Sequence, residues 1–115
     1  MSTPYSAALE QLARRRGVLG CMVVDAHDDI VVDASVRDGV QAGTVAAIGA
    51  SLYRRARHAA LAAGLGEVGL LRLEGERGHV FAVGHGELVI VAVAGPGVNI
   101  GLVRAEMLKA VEVLA

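Results

Sequence analysis

The chain has few of the large aromatic residues that commonly fill protein cores. It contains no tryptophan, two tyrosines and one phenylalanine among 115 residues, although hydrophobic types make up 54% of the sequence. The interior must therefore be filled by valine, leucine, isoleucine and alanine, which stabilise through many small contacts. A chain of this length buries about two-thirds of the surface that its unfolded form exposes, so we expect residues 1–115 to form one domain with one core.

The cysteine content, the charge balance and the length of the apolar runs indicate the cellular environment and the classes of partner to expect. The one cysteine, Cys21, cannot form an intramolecular disulfide, which fits a reducing compartment. Eleven basic and twelve acidic residues are interspersed, so no broad field attracts nucleic acid or an anionic membrane. No run approaches the roughly 20 apolar residues of a membrane span, and no basic segment precedes an apolar one at the N-terminus. We therefore expect a cytoplasmic protein with no nucleic-acid partner and no membrane insertion.

Three stretches have the spacing and boundary residues of helices. The predicted helices are Pro4–Arg16, Val40–Ala63 and Ile100–Leu114. Thr3, Asp38 and Asn99 precede them as candidate N-caps, since their side-chain oxygens can accept from free amides of the first turn. Gly17 and Gly64 follow the first two helices, where a left-handed residue can end a helix. The alanine-rich middle helix is the longest.

Five runs of aliphatic and β-branched residues predict strands. They are Val18–Val24, Ile30–Asp33, Glu67–Glu74, Gly78–Gly84 and Glu87–Ala94. The first of these runs, like the segment Leu88–Ala94, is apolar without alternation, so we expect these two strands side by side at the centre of a sheet. Leu71–Glu74 alternates, which predicts an edge strand with one exposed face.

The resulting order is α-β-β-α-β-β-β-α, an α/β sandwich with a five-stranded antiparallel sheet. Because the two central strands are apolar on both sides, the sheet needs cover on both faces. We expect the two terminal helices on one face and the long middle helix on the other.

Several local signals accompany this order. They are Gly17-Val18-Leu19-Gly20, Val23-Val24-Asp25, Glu87-Leu88-Val89-Ile90-Val91-Ala92-Val93 and Asn99-Ile100-Gly101-Leu102. Together with the element order they resemble the roadblock/dynein light-chain family, from about Leu9 to Leu114. One departure lies in the first hairpin, where many relatives place Asp-Gly and this chain has Asp28-Asp29, a pair less suited to positive φ.

The resemblance implies a homodimer in which the third strands pair edge to edge and the long middle helices lie together across one face. It also implies a partner class, since bacterial relatives of this size are similar to regulators of small Ras-like GTPases, including activating proteins that bind the GTPase as a dimer. One competing interpretation is a structural scaffold subunit of a larger assembly that does not alter a GTPase. Another is a small-molecule binder or enzyme of an unrecognised kind. The GTPase regulator and the scaffold require no cofactor.

Small residues on the middle helix point to a dimer independently of the family. Gly43 and Gly49 cost this helix roughly 1 kcal/mol each relative to alanine, and a close approach of a second helix would offset that cost. An edge strand paired with its twin would also no longer risk aggregation. The predicted dimer and partner interface comprises Thr44, Ala47, Ile48, Ser51, Leu52 and Arg55 on the helix and Leu70, Leu71, Arg72, Leu73 and Glu74 on the strand.

The basic group on the middle helix has two interpretations. Arg54, Arg55, Arg57 and His58 are favoured near a helix C-terminus by the helix dipole. The same charges could flank the dimer face and meet an acidic partner surface. No arginine is predicted on a protruding loop, which speaks against an arginine finger.

Other polar groups carry weaker signals. The glycine-rich junction 95–101 lacks dinucleotide or P-loop spacing, so we expect a simple strand-to-helix turn. His79 and His85 would lie about 20 Å apart along one strand, too far to share a metal ion. Cys21 is expected in an apolar strand and Ser51 on a helix among alanines, so neither has an activating base. We therefore expect an interaction module and not an enzyme.

Overall fold

The computed structural model describes residues 3–37 and 39–114, and its helices and strands follow the predicted order. The helices are α1 (Ser6–Ala13), α2 (Ala42–Ala62) and α3 (Ile100–Val111), the last continued by a 3₁₀ turn at Glu112–Leu114. The strands are β1 (Val18–Asp25), β2 (Ile30–Val36), β3 (Leu71–Gly75), β4 (Gly78–His85) and β5 (Leu88–Ala94). The predicted α/β class and element order are confirmed.

The strands form one antiparallel sheet in the order β2-β1-β5-β4-β3. β1 and β5 are neighbours at the centre, as predicted, with Val23 opposite Ile90. β3 lies at one edge, also as predicted, and β2 forms the other edge. A bulge interrupts the β1–β2 register at Val23 and Val24, so β2 bends before it continues to Val36.

The two faces of the sheet carry separate apolar cores. Alternate residues of β1 and β5 point to opposite sides, so Cys21 and Ile90 pack toward α1 and α3, whereas Met22 and Val91 pack toward α2. All four side chains are at most 1% exposed. The continuous apolar runs therefore reflect cover on both faces, and the predicted division of the helices between the faces is confirmed.

α2 lies very close to the sheet because glycine occupies two contact positions. A Cβ atom at Gly49 would lie 2.6 Å from Cγ1 of Val91, and one at Gly84 would lie 2.7 Å from Cε2 of Tyr53. Gly49 is therefore buried against the chain's own sheet, and its prediction as part of a helix–helix contact is wrong. Gly43 is exposed, and a Cβ atom at that position would meet nothing within 4 Å.

The predicted stop of α2 at Gly64 agrees with the structure, whereas both predicted ends of α1 are wrong: the helix begins at Ser6, with Tyr5 in the cap position, and ends at Ala13, well before Gly17. Gly17 (φ 89°) and Gly64 (φ 77°) adopt the left-handed conformation. Asn99 caps α3 by accepting from the Leu102 amide at 3.0 Å. Asp38, the predicted cap of α2, lies outside the described residues. Residues 14–16 leave the helix, and Arg15 instead pairs with Glu106 of α3 at 2.6 Å.

The first residues of the chain's described part are tied to the β2 edge by a carboxylate. Asp33 accepts from the hydroxyls of Thr3 at 2.5 Å and Ser6 at 2.6 Å. These bonds, with that of Ser6 the larger effect, hold the pKa of Asp33 below its ordinary value. Thr3 thus anchors the start of α1 to the sheet while it also accepts from the Tyr5 amide.

The glycine contact can be tested with two alanine substitutions on the same helix. Gly49→Ala should lower the free energy of unfolding by about 1–3 kcal/mol, because the added methyl group meets the buried Val91 side chain. Gly43→Ala, the matched control, should be neutral or stabilise by up to about 1 kcal/mol through helix propensity. Urea denaturation measures both, and equal effects would refute the proposed close contact.

The Asp33 anchor makes stability depend on pH in a defined direction. Because its pKa is lower in the folded chain, the carboxylate contributes stability that is fully present above its unfolded pKa of about 3.9 and is lost as pH falls through the folded pKa. Asp33→Asn should therefore lower the free energy of unfolding at pH 7, by at most about 1 kcal/mol because solvent screens the partly exposed carboxylate. The free energies of unfolding of the wild type and the variant, measured by thermal or urea unfolding, should become equal at the acid end of the pH range. A difference that stays constant with pH would contradict the ionic anchor.

Candidate interaction surface

The six predicted interface residues of α2 form one outward-facing stripe. They are Thr44, Ala47, Ile48, Ser51, Leu52 and Arg55. Steps of three or four positions place them on one side of the helix, opposite the buried face that contains Ala46 and Tyr53. Ile48, a large apolar side chain, is 50% exposed. Below, these six residues are called the α2 stripe.

β3 offers a second exposed surface at the sheet edge. It pairs with β4 on one side, and no strand among residues 3–37 and 39–114 pairs with its other side. Leu73, which is 49% exposed, lies opposite Val80 of β4, and Val80 packs into the core under α2. Leu73 therefore faces the same side of the sheet as α2. Leu71 is half-buried against that core.

The remaining predicted strand residues have different environments. Leu70 precedes β3 and is half-buried against the core on the other face of the sheet. Arg72 donates to Glu74 at 2.8 Å, and this bond lowers the pKa of Glu74. Arg72 also lies 3.2 Å from Nδ1 of the buried His79. The predicted strand set is therefore split between two faces.

The α2 stripe and the β3 edge lie on the same flank of the molecule. Arg54 contacts the β1–β2 turn, so its side of α2 faces β2. Leu52 lies two positions earlier, about 160° around the helix axis, and so faces the β3 flank. α2 packs mainly on β1, β4 and β5, which leaves Leu73 uncovered. The two predicted surfaces thus adjoin.

The basic group of α2 separates into tethered and exposed members. Arg54 donates through Nη1 to the Ala26 carbonyl at 2.5 Å and to Asp29 at 3.1 Å. Arg57 donates through Nε and Nη2 to both carboxylate oxygens of Glu67, at 2.9 and 3.1 Å, and thereby lowers the pKa of Glu67. Arg54 and Arg57 therefore fasten α2 to neighbouring segments.

The other two basic residues remain open to solvent. Arg55 and His58 are exposed and form no hydrogen bond or ion pair with another described residue. Asp29, the partner of Arg54, adopts φ 55°, so the Asp-Asp hairpin does reach the left-handed region, which aspartate tolerates better than most residues. Arg55 is therefore the one member of the basic group that also belongs to the α2 stripe.

A cavity that no sequence pattern indicates lies on the flank of α2 that faces the β1–β2 turn. It has a volume of about 340 Å³ between the C-terminal half of α2 and the turns that end β1 and begin β5. Its lining comes from three separate segments, including Tyr53, Leu61 and Glu87. No spacing within one segment could have indicated it.

Cys21 and His79, which the sequence analysis considered as candidate functional residues, are both buried in the structure. The Cys21 thiol donates to the Leu9 carbonyl at 3.2 Å, and burial raises its pKa to about 12. His79 is buried, with its ring centre 6.0 Å from that of Phe81. Within residues 3–37 and 39–114, no group of three or more His, Cys, Asp or Glu residues could hold a metal ion. No helix of the same residues is long and apolar enough to cross a membrane.

The chain is a small α/β sandwich domain whose long helix covers one face of the sheet and whose β3 is an unpaired edge strand. The model of the Roadblock/LC7 domain matches residues 5–94 of the chain. The chain belongs to the Roadblock/LC7 family.

Curated proteins with similar sequences match most of the length of the chain. Two uncharacterized proteins of Methanocaldococcus jannaschii are 32% and 31% identical over 104 residues, which cover 90% of this chain and 90% of each relative.

Solved structures show the same fold at lower identity. MglB of Myxococcus xanthus has a TM-score of 0.83 at 18% identity and covers 97% of this chain and 92% of its own. The gliding protein MglB of Thermus thermophilus has a TM-score of 0.82 at 21% identity, with coverages of 100% and 90%. A Roadblock/LC7 domain of Streptomyces avermitilis gives 0.81 at 19% identity, with coverages of 92% and 90%.

The division of the basic group predicts unequal effects of two neighbouring substitutions. Arg54→Gln should lower the free energy of unfolding by about 1 kcal/mol, because the Ala26 carbonyl loses a charged donor. Arg55→Gln removes the same charge from the next position and should leave stability within about 0.5 kcal/mol of wild type. Chemical denaturation of the two variants provides the comparison, and equal losses would show that Arg54 has no special anchoring role.

Proposed function

We propose that this chain is a homodimeric regulatory protein that binds a small Ras-like GTPase and modulates its GTP hydrolysis. In this proposal the chain works in the cytoplasm, supplies no nucleotide chemistry of its own and needs no cofactor. It acts by binding and by ordering the catalytic residues of the GTPase.

The dimer proposal rests mainly on one observation: the α2 stripe lies beside the unpaired edge of β3. Pairing of β3 with its twin would satisfy the backbone donors and acceptors that this edge leaves open. The same two-fold arrangement would bring the two α2 stripes together and cover Ile48 and Leu73, which are each about half exposed. Removal of such apolar area from water favours association by about 25 cal/mol per Å².

Family membership and charge placement support the GTPase as partner. The resemblance to the roadblock family implies a regulator of a small Ras-like GTPase, and the chain covers 90% of the length of the curated relatives that it matches. Arg55, on the α2 stripe, is exposed and forms no bond to another described residue, so it can meet an acidic partner side chain. A dimer would present two copies of this charge on one platform.

The dimer face can be tested with an acidic substitution. Ile48→Asp should convert the protein to a monomer at micromolar concentration, because it would place a carboxylate in an apolar contact. Leu102→Asp, the control, changes a comparably exposed leucine on α3, on the other face of the sheet, and should leave the dimer intact. Sedimentation velocity reads out both; a monomeric wild type, or dissociation of the control alone, would contradict this interface.

The GTPase proposal is tested with a purified small Ras-like GTPase from the same genome. The wild-type chain should bind the GTP-loaded form and change its hydrolysis rate, and Ile48→Asp should lose both effects. Binding without any change in hydrolysis or nucleotide exchange would favour the scaffold function instead. No binding to any such GTPase of the genome would contradict the proposal.

A further inference from the structure

The backbone of β3 presents a defined set of hydrogen-bonding groups at the free edge of the sheet. A two-residue turn joins β3 to β4 and makes Gly75 and Gly78 opposite residues. In an antiparallel hairpin of this length the residues that flank the turn exchange hydrogen bonds, and bonded pairs then alternate along the ladder. The amides and carbonyls of the odd-numbered residues of β3 therefore face β4, whereas those of Arg72 and Glu74 point to the free edge.

The side chains of Arg72 and Glu74 carry opposite charges on one face of the sheet. Arg72 lies opposite Phe81, which belongs to the core under α1 and α3, so both charged side chains lie on that face. Nη1 of Arg72 donates to Glu74 at 2.8 Å and lies 3.2 Å from Nδ1 of His79. Since a guanidinium can only donate, this ring nitrogen accepts and holds Arg72 along the strand. The two charged side chains remain 34% and 63% exposed, so a second chain can reach both.

Pairing of β3 with its twin is limited to a small number of registers. The proposed dimer places both copies of α2 on one face of a continuous sheet, so residues that meet across the contact belong to the same face of their strands. With two-fold symmetry, one residue of β3 then lies opposite itself. The candidates near the middle of the strand are Arg72, Leu73 and Glu74.

Of these three registers, the one centred on Leu73 pairs opposite charges at both charged positions. It aligns all five residues of β3, places Leu73 opposite its twin, and places each Arg72 directly opposite Glu74 of the second copy. The register centred on Arg72 brings two arginines together, and the register centred on Glu74 brings two carboxylates together. Opposite charges directly across a ladder stabilise the pairing, whereas like charges destabilise it.

We propose that β3 recognises a second copy of this chain in the register centred on Leu73, and that Arg72 and Glu74 specify this register. The inference rests on the dimer of the proposed function and adds which strand edge that dimer accepts: one that presents glutamate to Arg72 and arginine to Glu74. The two-fold axis repeats this pair, so each contact contains it twice. An edge with the reverse order of charges would meet two like-charged residues and is disfavoured.

Charge reversal tests the register through complementation. Arg72→Glu and Glu74→Arg should each weaken the homodimer at least about tenfold, because each substitution places like charges opposite one another at two positions. An equimolar mixture of the two variants should form a heterodimer with a Kd within about threefold of wild type, since every opposite pair again has unlike charges. Native mass spectrometry measures the composition, because the two variants differ in mass.

Two further variants serve as controls for charge. The doubly substituted chain, with Arg72→Glu and Glu74→Arg together, should form homodimers again and should not mix with ¹⁵N-labelled wild type. Glu76→Arg reverses an exposed charge in the β3–β4 turn and should dimerise like wild type. A weakened Glu76→Arg dimer together with failed complementation would overturn the proposed register, because Glu76 faces Arg72 of the second copy only in the register centred on Glu74.

A cross-link tests the register without altering charge. Leu73 and its twin would form a pair without backbone hydrogen bonds, in which the Cα atoms lie about 4.5 Å apart, close enough for a disulfide. Leu73→Cys should therefore form an intermolecular disulfide on mild oxidation. Leu102→Cys, at a comparably exposed position on α3, should not.

These experiments distinguish the register from the dimer itself. A wild type that is monomeric at micromolar concentration would contradict the proposed dimer and this register with it. A wild type that dimerises, with variants that form no heterodimer or with Leu73→Cys that forms no cross-link, would overturn the register alone.

Discussion

The close approach of α2 to the sheet determines which sides of this helix face solvent and neighbouring segments. Gly49 and Gly84 leave room for Val91 and Tyr53, so the helix lies flat on β1, β4 and β5 with one face fully buried. Once that face is fixed, the 3.6-residue period dictates what the other sides present. The α2 stripe faces outward, one flank carries Arg54 to the first hairpin, and the other faces the β3 edge.

The two edges of the sheet differ in a way that bears on assembly. β2 is bulged near Val31, and its Asp33 is bonded to the start of α1, so this edge is bent and partly tied to other segments. Bulges of this kind hinder pairing with another chain. β3 pairs with β4 in an unbroken register and has no such device among its described residues. The contrast favours β3 as the edge through which two copies pair.

Much of the fold could be predicted from the sequence because its signals are local. The unbroken apolar runs identified the central strands, and Asn99 and Gly64 marked helix ends through bonds to residues only a few positions away. The direction of the α2 glycines could not be predicted, since an alanine-rich helix is apolar on most sides. Only the position of Val91 shows that Gly49 faces the sheet.

The candidate sites, like the fold, could be predicted only where their residues are close together in the sequence. The α2 stripe was predicted because its members share one helix period, whereas Arg54 and Arg57 find partners 28 and 10 residues away that no spacing rule connects. The prediction that the third strand begins at Glu67 is wrong: β3 begins at Leu71, and Glu67 lies in the preceding segment, where its carboxylate accepts from Arg57. The cavity could not be predicted either, because its lining comes from segments that are far apart in the sequence and meet only where α2 packs against the two turns.

The proposed dimer is tested most directly by amide hydrogen exchange at several protein concentrations. If two copies pair through β3, protection of residues 71–75 should rise with concentration, while protection of the β2 edge, residues 30–36, should stay constant. Exchange at β3 that does not depend on concentration across the range in which the protein associates, or a rise confined to β2, would contradict the interface formed by β3 and the α2 stripe.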